Sequence, residues 1–417
     1  MTSHCLSCFL AVAAVLASAD GARAGNWPRF RGPNGSGVAP DKGVPVRWTE
    51  KSGVLWKVEI PGSGNSSPVV WDGRLFLQSA TDHDRQLLCL SAHSGKTLWK
   101  QTVPGDKGWT HPKNSLASST PATDGRRVYV LFWDGGKVWL AAYTVDGKPA
   151  WRRDLGRFTS QHGPGTSPIV YGGKVFLAND QDGAAALVAL DAETGKPAWQ
   201  AKRRAYRACY STPLVLRSAR GKAELIVAST AGITAYDPDS GTANWWWTWH
   251  FDGMALRTVA SPVAGDGLIF AASGDGSGAR HAVAVRTGGK GDVTRTHLAW
   301  ERKRDFPYVP SMLVHRGHLL AVNDHGVASC RVARTGKTVW ERRLSGAVTA
   351  SPLLIDGKIY VVSEKGDVFV FPAAAEFRLL APNSVGEAVF ATPAVADGKL
   401  FIRGENHLVC IGRRSGK

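Results

Sequence analysis

A short motif recurs along this chain, and its last copy is complete only when the two ends are joined. Ser94-Gly95-Lys96-Thr97-Leu98-Trp99 and Thr335-Gly336-Lys337-Thr338-Val339-Trp340 are internal copies. The chain stops at Ser415-Gly416-Lys417, one residue short of the strand that would carry the Trp. That strand stands near the front, as Val54-Leu55-Trp56-Lys57. Placing Val54 after Lys417 restores the four-residue step from Gly to Trp. A repeat whose last unit borrows its outer strand from the N-terminus is a ring, and short β-units closed into a ring make a propeller.

Each unit opens with Ser or Thr, followed by Pro in all but one case. The openings are Ser67, Thr120, Ser167, Thr212, Ser261, Ser311, Ser351 and Thr392, spaced 40 to 53 residues apart. That spacing suits one four-stranded blade per unit. The expected fold is therefore all-β: an eight-bladed β-propeller of four-stranded antiparallel blades over 53–417, closed by the N-terminal strand. Within unit three, apolar runs such as Lys174 to Ala178 and Leu187 to Leu190 are broken by Gly-Gly and Asp-x-x-x-Gly turns, as short strands require. Trp56, Trp99, Trp151, Trp199, Trp245, Trp300 and Trp340 recur at one position and read as wedges between neighbouring blades. Unit five carries an insertion, Gly288 to Leu298, and unit six replaces the Pro by Met312. Unit seven lacks the Trp, and Phe377 is the expected substitute.

Residues 1–24 read as a secretory signal peptide: Leu6 to Leu16 is too short an apolar run to span a bilayer and leads to Ala-x-Ala patterns, although no Lys or Arg precedes it. No later stretch could span a membrane as a helix, so a secreted or periplasmic protein is expected. Residues 25–52, rich in Pro and Gly, read as an arm laid on the propeller with Trp27 and Phe30 as anchors. Cys89, Cys330 and Cys410 share one repeat position, filled by Ala141, Ala189 and Ala235 in other units. A position that takes only Ala or Cys is a small core site, so these thiols, with Cys209, are expected free rather than paired.

Ala189-Leu190-Asp191-Ala192-Glu193-Thr194-Gly195-Lys196-Pro197-Ala198-Trp199 resembles the tryptophan-docking motif of quinoprotein-type propellers. Cys89 to Trp99, Ala141 to Trp151, Ala235 to Trp245 and Cys330 to Trp340 keep its length. The chain is similar, over nearly all of 53–417, to the PQQ-like (pyrroloquinoline quinone) eight-bladed repeat family. That family holds quinoprotein dehydrogenases and non-enzymatic propellers such as the outer-membrane assembly scaffold BamB. The dehydrogenases use an adjacent cysteine pair, and a calcium beside a catalytic Asp. No two cysteines are adjacent here, and the blades leave no room for the long insertions of a dehydrogenase pocket. The resemblance therefore implies the BamB-like, non-dehydrogenase branch, with no cofactor.

Other motifs fail on spacing. Gly95-Lys96-Thr97 and Gly336-Lys337-Thr338 lack the earlier Gly of a phosphate-binding loop, which would fall at Leu90 and Arg331. Asp180-Gln181-Asp182-Gly183 would put Ala178 and Ala189 at the first and last ligand positions of an EF-hand. No Gly-x-Ser-x-Gly elbow occurs. Propeller geometry places the loops leading into the inner strands on the same side as the loops joining second and third strands. Ligand-binding candidates at this mouth are His111, Asn114, His162, Arg207, Tyr210, Arg257 and Tyr308 from the first set, and Asp180, Asp182, Asp324 and His325 from the second. The run Trp245-Trp246-Trp247-Thr248-Trp249-His250 reads either as packing or as an aromatic platform for sugar or peptide.

The net charge of +17 includes Arg152-Arg153, Lys202-Arg203-Arg204, Arg302-Lys303-Arg304 and Arg342-Arg343 on or past the outer strands. These clusters read as edge protection or as a rim for an anionic surface. The expectation is an exported, monomeric, non-catalytic binding or scaffold protein for a protein or anionic envelope component. Nucleic acid does not suit an exported chain. The alternative is a divergent quinoprotein (with PQQ and calcium), or another enzyme working at the polar mouth.

Overall fold

The computed structural model describes residues 25–49, 51–217 and 221–414; the leader and the terminal Ser415-Gly416-Lys417 lie outside them. Eight four-stranded antiparallel units surround one axis. Blade 1 runs from Val69–Trp71 at the axis through Arg74–Ala80 and Asp84–Ser91 to Thr97–Pro104 at the rim. Blades 2 to 7 follow in order. Blade 8 takes Ala394–Ala396, Lys399–Arg403 and His407–Ile411 from the end of the chain and Val54–Glu59 from the front as its outer strand. Trp56 stands opposite Cys410 across that seam. The ring closes as the repeat requires.

Docking between blades uses two repeat positions at once. Six of the seven docking Trp donate the indole N–H to a carbonyl in the last turn of the next blade: Trp56 to Ala92 (3.3 Å), Trp99 to Val145 (2.9 Å), Trp151 to Ala192 (3.1 Å), Trp199 to Pro238 (3.1 Å), Trp300 to Ala333 (2.8 Å) and Trp340 to Ala374 (2.9 Å). The ring lies against the Gly of that same turn. A Cβ on Gly95 would stand 2.8 Å from the Trp56 ring, and one on Gly195 2.5 Å from Trp151. These glycines also have φ of 73° and 68°, where only Gly is unstrained. Across its own sheet the Trp faces the small residue of the motif, as Cys89 faces Trp99, Ala189 faces Trp199 and Cys330 faces Trp340. In blade 2 the partner of Trp151 is Ala142, because the register shifts by one.

Two departures resolve differently from expectation. Trp245 is fully buried against blade 5, yet its N–H goes to Glu224 of its own blade (3.3 Å). The unit-five insertion leaves no standard turn to receive it; instead Gly291–Asp292 adds a parallel strand beside Trp245 and Trp246. Phe377 does not replace the missing Trp of blade 7. It packs on Trp340 of the preceding blade (5.2 Å between ring centres) and on Phe371. The Trp position itself is held by Ala381, opposite Val370, and the arm lays a Trp of its own beside this outer strand. Trp48 is buried, takes the Asn383 side-chain oxygen at its amide (2.9 Å), donates its indole to Ser384 (3.3 Å) and backs onto Gly53.

The rest of the arm closes the channel. Trp27 exchanges two hydrogen bonds with Val70 of blade 1 (2.7 and 2.9 Å), and Pro28 accepts from Thr123 of blade 2 (2.8 Å). Asn34 pairs with Val215 of blade 4 through both side-chain atoms (2.7 and 2.9 Å). Val38–Ala39 adds a parallel strand to the inner strand of blade 7. All of these contacts lie toward the end of the inner strands, away from the mouth.

A hydroxyl collar encircles the axis above the arm. The amide of Ser67 donates to the Thr120 hydroxyl (3.0 Å), Thr120 to Ser167 (2.9 Å), Thr212 to Ser261 (2.9 Å), Ser261 to Ser311 (2.9 Å), Ser311 to Ser351 (3.0 Å) and Ser351 to Thr392 (2.9 Å). Six of the eight blades thus satisfy a buried amide of the neighbour before them, which gives the opening Ser or Thr a structural role.

Candidate functional site

Inner-strand loops and second-to-third-strand loops share the mouth face and are stitched together there. The amide of Asp182 donates to Thr159, Arg257 and Gly274 exchange two bonds, and Glu364 donates to Ala347. Within this ring lies a cup of about 380 Å³, a size suited to a small ligand or the end of a larger one. Phe30 of the arm lines its closed end, and the collar residues Ser67, Thr120, Ser167, Thr212, Ser311, Ser351 and Thr392 lie in its wall.

His111, Asn114, His162, Tyr210, Tyr308, Asp324 and His325 come together around this cup. His111 and His162 stack with ring centres 4.9 Å apart, and His162 meets Tyr210 edge-on at 6.4 Å. Asn114 ties the cluster by donating to the carbonyls of His162 (2.6 Å) and Pro164 (3.2 Å). Asp324 is buried and accepts from the amides of Tyr308 (2.7 Å) and Val309 (3.1 Å), with Arg280 at 3.5 Å.

The other four candidates stand outside the cup. Asp180 is buried in a two-pronged pair with Arg203 (2.7 and 3.0 Å), and Arg203 also donates to the Tyr236 hydroxyl (2.7 Å). That pair removes Arg203 from the basic rim as well. Asp182 is exposed and caps the amide of Ala208 (2.6 Å). Arg257 is buried behind the loops, donating to Ala208 (3.2 Å) and to Gln161 (3.0 Å). Arg207 donates to the carbonyl of Ala255 (3.4 Å).

Two contributors lay outside the sequence-based candidates. Lys113, in the loop before blade 2, reaches over blades 8 and 1 to Glu364 of blade 7 (2.7 Å), where Thr349 also donates (2.6 Å). The collar hydroxyls were visible in every unit as the opening Ser or Thr, but that position reads equally well as a mere strand start. The tryptophan run resolves as packing. Trp245, Trp247 and Trp249 are buried, with Trp249 stacked on Phe251 at 5.5 Å, while Trp246 and His250 face outward.

Burial sets the protonation of the cup. Loss of solvent, then the nearby charges of Arg257, His111 and Arg207, hold His162 down at about 4 despite Asp182, so its imidazole is neutral near pH 7. Burial pushes the phenols of Tyr210 and Tyr308 up to about 12. The four cysteines among the described residues are free and buried; burial pushes Cys89, Cys209 and Cys410 up to about 12 and Cys330 to about 11, which makes them unreactive thiols.

The fold and the cup define an eight-bladed propeller with a recess open at one end. The chain belongs to the PQQ-type repeat family described as outer membrane protein assembly factor BamB, whose profile matches residues 38–139, 83–313 and 297–375. A polyvinylalcohol dehydrogenase of a Pseudomonas species is 27% identical over 174 residues, 39% of this chain and 26% of that protein. BamB of Moranella endobia (strain PCIT) is 21% identical over 266 residues, 60% of this chain and 64% of that protein. The chain thus spans about a quarter and just under two thirds of these curated relatives. Among solved structures, BamB of Moraxella catarrhalis matches with a TM-score of 0.63 at 14% identity, over 87% of this chain and 98% of that one. A europium-containing methanol dehydrogenase matches with 0.69 at 12% identity, over 92% and 90%. At such identities these structures share the fold.

Dehydrogenases of this fold make quinone and calcium the group to test against the cup. Asp324 is already engaged by two amides and Arg280, and Asp275 caps its own turn through Ser277 (2.6 Å) and Ala279 (3.1 Å). Among the described residues no three His, Cys, Asp or Glu side chains stand together as an ion site. The two carboxylates that line the cup, Asp275 and Asp324, are thus committed to donors within the protein.

Proposed function

We propose that this propeller is a non-catalytic binding or scaffold protein of the cell envelope, holding a protein or anionic envelope component at the mouth of its cup. One observation carries the reading: Asn114, Asp324 and Lys113 at the mouth are spent on fixing loops, and His162, Tyr210 and Tyr308 are tuned away from neutral reactivity. His162 is held near 4 and Tyr210 and Tyr308 near 12, whereas a general acid or base works best with a pKa near the operating pH. What remains is a rigid, shaped recess whose walls hydrogen-bond, which is the equipment of a binding site. The BamB family match supports the same reading, as does the absence of an adjacent cysteine pair from the sequence. No helix among the described residues is long and apolar enough to cross a membrane, which is compatible with an envelope protein on the outer side of the inner membrane.

The rival reading, a divergent quinoprotein oxidoreductase, is tested by reconstitution. Purified full-length chain is incubated with PQQ and calcium and assayed with a dye-coupled panel of alcohols and sugars. The binding reading predicts no turnover above the protein-free control. Stoichiometric quinone uptake with turnover would contradict it.

A further inference from the structure

The closed end of the cup carries an imbalance of donors over acceptors. Each collar hydroxyl that accepts a neighbour's amide still has its own proton to give. Among the described residues, none of the eight collar hydroxyls donates to a protein acceptor. Nearby carbonyls that could have taken such protons are occupied from below. Arg29 donates to Pro213 and Arg31 to Met312, the residues that follow collar members Thr212 and Ser311.

Those two arginines are themselves out of balance. Arg31 is fully buried and Arg29 nearly so; they precede and follow Phe30 in the chain and lie behind it, Phe30 alone of the three lining the cup. Neither pairs with a carboxylate among the described residues, and Arg31 Nε and Nη1 and Arg29 Nε have no partner. Removing a cation from water without a counter-charge costs several kcal/mol even after relaxation. Two such cations side by side, beneath a ring of unspent hydroxyl donors, select a group that only accepts hydrogen bonds and carries negative charge.

We infer that the closed end of the cup is an oxyanion site, which takes the carboxylate or phosphate at the inner end of a ligand whose body lies between Tyr210 and Tyr308. The inference rests on the binding reading above and specifies the chemistry of what is bound. The collar supplies directional donors, and the Arg29–Arg31 pair supplies the field. A neutral polar end group would leave both uncompensated.

Titration calorimetry on the full chain tests this with three probes: acetylated trialanine with a free carboxylate, the same peptide as its C-terminal amide, and inorganic phosphate. The free acid is expected to bind at least about tenfold more tightly than the amide, since charge-assisted hydrogen bonds are roughly twice as strong as neutral ones. Arg31→Met should abolish that preference. Phe30→Trp, which fills the end of the cup and leaves every collar residue in the sequence, should block binding even if the arginine variant does not fold. Phosphate binding without carboxylate binding would keep the oxyanion site and assign it to a phosphate-bearing ligand. Equal binding of acid and amide, or no binding of either acid or phosphate, would overturn the inference. If no probe binds but a partner still docks at the mouth, this inference fails and the scaffold reading stands.

Discussion

The indole of Trp56 lies against Gly95, and through that contact the N-terminal strand of the chain clasps blade 1 and shuts the ring. A Cβ at Gly95 would stand 2.8 Å from the Trp56 ring and 2.7 Å from Val58, and the backbone φ there is 73°. Gly95→Ala should therefore lower stability by about 3 kcal/mol, combining overpacking with left-handed strain. Gly172→Ala is the control: its φ is 55° but nothing lies within 4 Å, so about 1 kcal/mol is expected from strain alone. Denaturant midpoints of the two variants measure the difference.

Trp48 stands outside the repeat, yet it is buried against the outer strand of blade 7. Trp48→Ala should cost about 3–5 kcal/mol, the same range as truncating a buried aromatic in a core. Phe377→Ala should loosen the contact with Trp340 and leave the Trp48 contacts intact. Thermal unfolding of the two single variants and their double variant checks that the effects add, as independent sites should.

Asp180 and Arg203 are buried together, and Arg203 is raised above its ordinary range by that partnership despite its burial. Asp180→Asn would leave the guanidinium buried without its counter-charge, at a cost of about 3–5 kcal/mol. A mouth candidate that bound ligand directly would instead change affinity and leave stability nearly untouched. Calorimetric unfolding of Asp180→Asn separates the two outcomes.

His162 gives the cup a pH dependence of known sign. Its folded value of about 4 lies below the ordinary 6.5, so between those values the unfolded chain binds more protons than the folded one. Stability contributed by this group is present in full above about pH 6.5 and is lost as pH falls toward 4. His162→Gln should flatten that part of the profile of melting temperature against pH. An unchanged slope would show that other groups carry it.

The ring itself was legible because a propeller repeats its physics. The opening hydroxyl recurs in all eight units, and the same Gly and Trp at most junctions, so several copies vote on each position. Whatever occurs once had no such support. Trp48 and the channel course of residues 27–39 belong to an arm without a repeat, and only the tertiary structure shows that they brace blade 7 and close the far end of the channel. Phe377 looked like a substitute because it lies near the empty position in sequence, but the slot belongs to the outer strand, and Phe377 precedes that strand, Ala381–Ser384. At the mouth, the sequence placed polar residues on the correct side without distinguishing the ones that line the cup from those that brace it. Asp180 and Arg203 are 23 residues apart, and nothing in their spacing announces that they neutralise each other.

The central claim is that partners are held at the mouth, because the arm closes the opposite end. A photo-crosslinking amino acid placed at Met254, exposed on a mouth loop, and at Arg126, on a turn of the far face, tests it in the native envelope. The account predicts a discrete crosslinked product from Met254 and none from Arg126, with the Met254 product lost in Tyr308→Ala. Crosslinks from Arg126 alone would place the working surface on the arm side and contradict the account.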